Sequence, residues 1–185
     1  SKEMAMLFLC AYVVMLRVPS EGLPMVRAAP GKAASAISCK GEKVILWLKK
    51  RKNKATPSTL RRGCWCKHKH RSSKTCPLHV IGRFIEGIPE GNPVFPGISS
   101  EAANKALRMC LGRMKTKQAK LYRCHGLRRG HTDDLNREGA PTKEIKLAGE
   151  WKSNRMNSYL DLDEEENIRV NEGRVLDDSS DGEEE

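Results

Sequence analysis

The sequence contains no apolar run long enough to cross a lipid bilayer. Residues 4–16 form a run of thirteen apolar residues, whereas a membrane-spanning helix needs about 20. Because Lys2 precedes this run and the small-residue segment Arg27-Ala28-Ala29 follows it, the run could also belong to a secretory signal peptide. The chain also lacks an even number of cysteines, and its seven would leave one unpaired in an oxidising compartment. We therefore favour a buried helix in an intracellular protein, with a secreted cysteine-rich protein as the distant alternative.

Internal repeats with a period of about 20–50 residues are also missing, which argues against solenoid and propeller architectures. The 185 residues, 38% of them hydrophobic, suffice for one domain with a modest core. We expect a globular unit over residues 1–160 and a disordered acidic tail over residues 161–185.

Positive and negative charge are unevenly distributed along the chain. Residues 161–185 carry twelve acidic and two basic side chains, a net charge of −10, so the chain's net +11 becomes +21 over residues 1–160. A positive charge of this density repels itself unless a polyanion neutralises it. The pattern fits either a generally basic, solvated surface or a nucleic-acid partner.

Hydrophobic periodicity predicts mainly helices and one small antiparallel sheet, an α+β fold. A first helix, apolar on nearly all faces, should end just after Arg17, because Pro19 cannot continue it. The apolar run 44–48 predicts a strand and Thr56-Pro57-Ser58 the turn of a β-hairpin, whereas the small residues of 27–41 predict a loop. Further helices are predicted over residues 78–85, 99–114, 125–139, 141–149 and 154–160, with a loop over residues 87–97.

The segment from His125 onward is the most informative part of the sequence. His125 and Arg128 lie three apart on a predicted helix, so their side chains share a face and could bind one phosphate together. Alone, such a pair usually marks a solvated helix face. The extended pattern, however, resembles the C-terminal signature of tyrosine recombinases, the phage-integrase family, and its Gly-x-Trp-x-Ser form resembles recombinases of eukaryotic mobile elements. The matching positions are His125, Arg128, Gly139, Gly149, Trp151 and the nucleophile Tyr159.

This resemblance implies two further catalytic residues upstream. The family's first arginine ends an apolar helix shortly before a glutamate, as Arg17 does before Glu21, although this sequence has one residue more than the usual Arg-x-x-Glu. Arg17 could alternatively be a partner of the helix dipole. The family's lysine lies on a β-hairpin, and within the basic run 49–54 Lys52 fits best, with Lys50 as the runner-up. Most of that run we expect to contact phosphates.

The resemblance also implies a fold, a reaction and partners. It predicts the recombinase catalytic-domain fold, with the phenolate of Tyr159 attacking a backbone phosphate to give a 3′-phosphotyrosine, without metal or nucleotide cofactor. It further implies double-stranded DNA as substrate, a homo-oligomer, expected to be a tetramer, on that DNA, a nuclear location and no membrane partner. Because the family's N-terminal core-binding domain is absent from residues 1–160, a catalytically inactive DNA-binding remnant of a mobile-element recombinase is the alternative function.

Three cysteines and a histidine form a separate cluster. Cys64, Cys66, Cys76 and His79 give Cys-x-Cys followed by Cys-x-x-His, and three thiolates with one imidazole suit a structural zinc ion. His68 and His70 are competing ligands, and ordinary reduced thiols are the alternative. Since the cluster follows the returning hairpin strand, we expect it to lie near the loop that carries Lys52.

Overall fold

The structure, a computed structural model, describes residues 1–28, 35–49, 56–64, 66 and 74–149. Within these residues the protein is α+β, as predicted, with a small four-stranded sheet and helices packed around one core. Among them no helix has both the length and the apolar character needed to cross a bilayer. The predicted helix 154–160 and the acidic tail lie outside the described residues.

The first helix, α1 (Lys2–Val13), begins after Ser1, whose Oγ accepts a hydrogen bond from the backbone N–H of Met4. Leu7, Cys10 and Ala11 are fully buried, so the prediction of an internal helix is confirmed. The prediction that it ends just after Arg17 is wrong. The helix stops at Val13, because the buried Met15 adopts a left-handed backbone conformation with φ 56°.

The sheet has the order β1 (Val26–Arg27), β2 (Ala36–Lys40), β3 (Lys43–Leu48) and β4 (Ser58–Gly63). β3 and β4 form the predicted antiparallel hairpin, with Leu48 opposite Ser58. Two predictions need correction. Residues 36–40, assigned to a loop, form β2, since Ile37 pairs with Leu46 of β3 and is buried. The sheet is also mixed rather than antiparallel, because the short β1 pairs with β2 in parallel.

The remaining helices lie close to their predicted bounds. They are α2 (Pro77–Glu86), α3 (Ser100–Arg113), α4 (His125–Arg137) and α5 (Thr142–Gly149). The side chain of Ser99 caps α3 by accepting from the N–H of Ala102 at 3.0 Å. Gly139, with φ 77°, ends the turn after α4, where a residue without a side chain is favoured. α1 packs on α4 and α2, and α2 covers the sheet, which places the core between them.

Candidate functional site

Arg17 directly precedes a π-helical turn, Val18–Gly22, and hydrogen bonds with this turn fix the orientation of its backbone and side chain. Its carbonyl accepts from the N–H groups of Glu21 (2.8 Å) and Gly22 (3.2 Å). The buried carboxylate of Glu21 in turn accepts from the backbone N–H of Arg17 at 2.9 Å and from Nη1 of Arg17 at 3.0 Å. This wide turn places three residues between Arg17 and Glu21 while the two side chains remain in contact. Since α1 has already ended at Val13, the alternative interpretation of Arg17 as a partner of its dipole is wrong.

Arg128 joins the segment after α1 to the end of α5. Its side chain is 2% exposed, and its two terminal nitrogens donate to the carbonyls of Met15 and Gly149, each at 2.6 Å. The bond to Met15 spans 113 residues of sequence. The guanidinium therefore holds together the segment just before Arg17, the first turn of α4 and the end of α5.

His125 is the first residue of α4 and is solvent-exposed on one side. Partial desolvation lowers its pKa, and the positive charges of Arg128 and Arg17 lower it further. At neutral pH His125 is therefore uncharged and able to accept a proton. Both arginines lower the pKa of the same imidazole. The three sequence-predicted residues Arg17, His125 and Arg128 therefore lie close enough together for their charges to interact.

A cavity of about 320 Å³ lies where these elements meet. The first residues of α3 and α4 both line it, so two helix N-termini, which carry partial positive charge, face the same space. Its polar lining consists of Arg17, Arg123, His125, Ser20, Ser100 and Asn104. In the part of the chain that the structure describes, no aspartate or glutamate lines this cavity. The arrangement suits an anion such as a phosphate.

Four of these lining residues, Arg123, Asn104, Ser20 and Ser100, were not predicted as site residues from the sequence. Arg123 lies two residues before His125, and its charge beside the His-x-x-Arg pair was a usable signal. Asn104 accepts from the backbone N–H of Cys124 at 2.8 Å and so positions the start of α4. Nothing in the local sequence marks Asn104, because its partner lies 20 residues away and on another helix. The predicted residues Lys52, Trp151 and Tyr159 lie outside the described residues.

The second candidate site consists of Cys64, Cys66, Cys76 and His79, whose ligand atoms all lie within 4.8 Å of one another. The Sγ atoms of Cys64 and Cys76 are 3.7 Å apart, and Nδ1 of His79 lies 3.7 Å from Cys64 Sγ and 3.4 Å from Cys66 Sγ. The predicted grouping is thereby confirmed, and these four residues could bind a metal ion such as zinc.

The position of this cluster in the hairpin corrects one prediction. Cys64 follows Gly63, which pairs with Lys43 at the start of β3, whereas residues 49–57 join the strands at the other end, after Leu48. Five residue steps of strand, about 17 Å, therefore separate the cluster from the hairpin loop. The expectation that the cluster lies near this loop therefore does not hold for the described ends of the loop, whereas Lys52 itself lies outside the described residues.

The thiols of the cluster affect one another strongly. The pKa of Cys66 is raised to about 12, first by its hydrogen bond with Cys64 and then by desolvation and by Cys76. Three crowded thiols thus resist ionising together, because each thiolate would repel the next. A bound dication would reverse this preference, since metal ions bind the thiolate form.

Neither a protein-family model nor a curated protein matches this sequence, so its function is inferred from its own residues.

Proposed function

We propose that this chain is the catalytic domain of a tyrosine recombinase, which cleaves and rejoins DNA strands through Tyr159. The supporting observation is the basic cavity where Arg17 and His125, separated by most of the described chain, line one space beside the N-termini of α3 and α4. A phosphate of the DNA backbone has the charge and the size for this space. The recombinase catalytic-domain fold is part of the same proposal.

In this proposal each residue has a defined chemical role. The oxygen of Tyr159 attacks the phosphorus and passes its proton to His125, which is neutral before the step because its pKa is lowered. The bond from phosphorus to the 5′-oxygen breaks, and Lys52 protonates that oxygen. Arg17, Arg128 and the indole N–H of Trp151 donate to the non-bridging oxygens, where negative charge accumulates. A 5′-hydroxyl of a second strand reverses the step and releases Tyr159.

The proposal includes the setting of the reaction. Double-stranded DNA is the substrate, several protomers form the synapse, expected to be a tetramer, and a nuclear location follows from the substrate. The metal has no part in this chemistry. Zinc, the ion that the three thiols and one imidazole favour, is a structural ion in this scheme.

One observation favours a second candidate function, a DNA-binding remnant without catalytic activity. Both terminal nitrogens of Arg128 donate to backbone carbonyls at 2.6 Å, and the side chain is buried. Binding a phosphate would require Arg128 to exchange these carbonyls for phosphate oxygens. A domain in which Arg128 keeps them would retain the basic cavity and bind DNA, but would lack one donor of the catalytic set.

A nicked suicide substrate decides between the two functions. When cleavage occurs beside the nick, the short fragment that bears the new 5′-hydroxyl diffuses away and leaves the protein joined to the 3′-phosphate of the remaining strand, which denaturing electrophoresis detects as a slowly migrating band. We expect this band with the wild type and with Tyr122→Phe, whose exposed tyrosine belongs to no part of the proposed site. Tyr159→Phe should give none. Absence of the band from the wild type, with DNA binding retained, would establish the remnant instead.

The cavity itself gives a prediction on DNA binding. Arg123→Gln removes a positive charge from the lining, so affinity should fall for all DNA sequences alike, and the slope of log Kd against log salt should decrease by about 1. Fluorescence anisotropy over a salt series measures both quantities. The matched control is Arg113→Gln, an exposed arginine at the opposite end of α3. An equal loss from the two variants would show that DNA binds a diffuse basic surface and not this cavity.

A further inference from the structure

We propose that Cys64, Cys66, Cys76 and His79 bind one zinc ion as a closed structural site that fastens the end of the β3–β4 hairpin to the start of α2. This site is separate from the strand-transfer chemistry and does not depend on it. Cys64 and Cys66 follow β4, whereas Cys76 precedes α2 and His79 lies in its first turn.

Three of the six separations between the ligand atoms are close to those that tetrahedral zinc imposes, and all six are within 4.8 Å. Zinc lies about 2.3 Å from sulfur and 2.0–2.1 Å from nitrogen, so tetrahedral geometry puts two sulfurs about 3.8 Å apart and a sulfur and a nitrogen about 3.6 Å apart. The observed separations are 3.7 Å for Cys64 Sγ to Cys76 Sγ, and 3.7 and 3.4 Å for His79 Nδ1 to the sulfurs of Cys64 and Cys66. A disulfide would need a separation of about 2.05 Å.

The surrounding backbone holds the ligands in place. The N–H of Cys66 donates to Sγ of Cys64 at 3.1 Å, which fixes the position of that sulfur. Cys76 is the N-cap of α2, where the partial positive charge of the helix N-terminus favours a thiolate. Because Pro77 occupies the first helical position, α2 starts in a fixed geometry that presents Cys76 and His79 to the same point.

The ligand set also defines the role of the ion. Four protein ligands fill a tetrahedral shell, so no position remains for water or substrate, and the site is structural rather than catalytic. The segment between the two ligand pairs runs from residue 67 to residue 75, and its sequence contains no leucine, isoleucine, valine or aromatic residue that could anchor it in the core. The metal would tie the end of β4 to the start of α2, in addition to the apolar packing of α2 on the sheet.

The test is the metal content of the full chain, purified without chelator. We expect about one zinc per chain by inductively coupled plasma mass spectrometry for the wild type and for Cys110→Ser, a control that alters an exposed cysteine on α3. Cys76→Ser should contain less than a tenth of that amount. Zinc retained by Cys76→Ser, or absent from the wild type, would overturn the proposal.

A second measurement covers the case in which Cys76→Ser does not fold. Exchange of the wild-type metal for Co²⁺ should give the intense visible bands of tetrahedral cobalt together with a thiolate-to-cobalt charge-transfer band. Weak bands typical of octahedral cobalt, without charge transfer, would contradict the proposed ligands. Neither readout depends on DNA cleavage, so the zinc site and the recombinase activity can fail independently of each other.

Discussion

Replacing Arg128 with alanine should lower the free energy of unfolding by about 4 kcal/mol, because the variant loses two hydrogen bonds from a charged donor, each contributing roughly 1.5–3 kcal/mol. The carbonyls of Met15 and Gly149 would also lose a 2.6 Å donor in a buried environment. In a domain of this size the melting temperature should fall by roughly 8–16 °C. Denaturant unfolding followed by circular dichroism measures the change directly.

The neighbouring arginine is the matched control. Arg129 lies on the exposed side of α4, where its Nε is 3.9 Å from the carboxylate of Asp133. Such a surface pair, three or four residues apart on a helix, contributes at most about 0.5 kcal/mol. Arg129→Ala should therefore unfold almost like the wild type. Equal stability of the Arg128 and Arg129 variants would show that the bonds from the buried guanidinium to Met15 and Gly149 do not stabilise the fold.

Acidification from pH 6.5 to about 4 should destabilise the fold by on the order of 3 kcal/mol through His131 alone. The side chain is 7% exposed, and its pKa is lowered to about 4, mainly by burial and secondarily by Arg62, against the opposing effects of Asp134 and Glu138. The unfolded chain, with an ordinary histidine pKa of 6.5, binds the proton first. The contribution of neutral His131 to the free energy of unfolding is therefore fully present above pH 6.5 and is lost progressively as the pH falls towards 4.

The control for this prediction must remove the titration and keep the fold. His131→Gln cannot be protonated in this range, so its free energy of unfolding should vary less steeply between pH 6.5 and 4 than that of the wild type. The substitution also removes the edge-on contact of the imidazole with the ring of Tyr12, whose centroid is 4.8 Å away, so the variant should be less stable than the wild type near neutral pH, and this difference should shrink as the pH falls towards 4. An unchanged slope would assign the acid sensitivity to other groups.

Elements with strong local signals could be predicted from the sequence. α3 begins where Ser99 provides a cap, and the turn after α4 ends at Gly139, because capping and left-handed turns depend on nearby residues alone. The grouping of the Cys/His cluster was equally predictable, since its four residues lie at a spacing that is typical of metal ligands. These features need no information from distant parts of the chain.

Features that depend on distant partners could not be predicted in this way. β2 has only a short apolar signal at Ala36 and Ile37, and it becomes a strand because β3 lies beside it. The early end of α1 depends on Met15, whose carbonyl accepts from Arg128. For the same reason Arg128 was predicted only as a phosphate ligand: its buried carbonyl partners lie 113 and 21 residues away.

The packing of α1 against α4 has a consequence during protein synthesis. Tyr12 of α1 donates to the carboxylate of Asp134, 122 residues later, so α1 leaves the ribosome long before its partner exists. At translation rates of about 5–20 residues per second, the face of α1 that packs on α4 stays uncovered for roughly 6–24 s, although α2 is synthesised earlier and covers another part of α1. Slower elongation between these two positions would lengthen the exposure of this apolar face and with it the risk of aggregation.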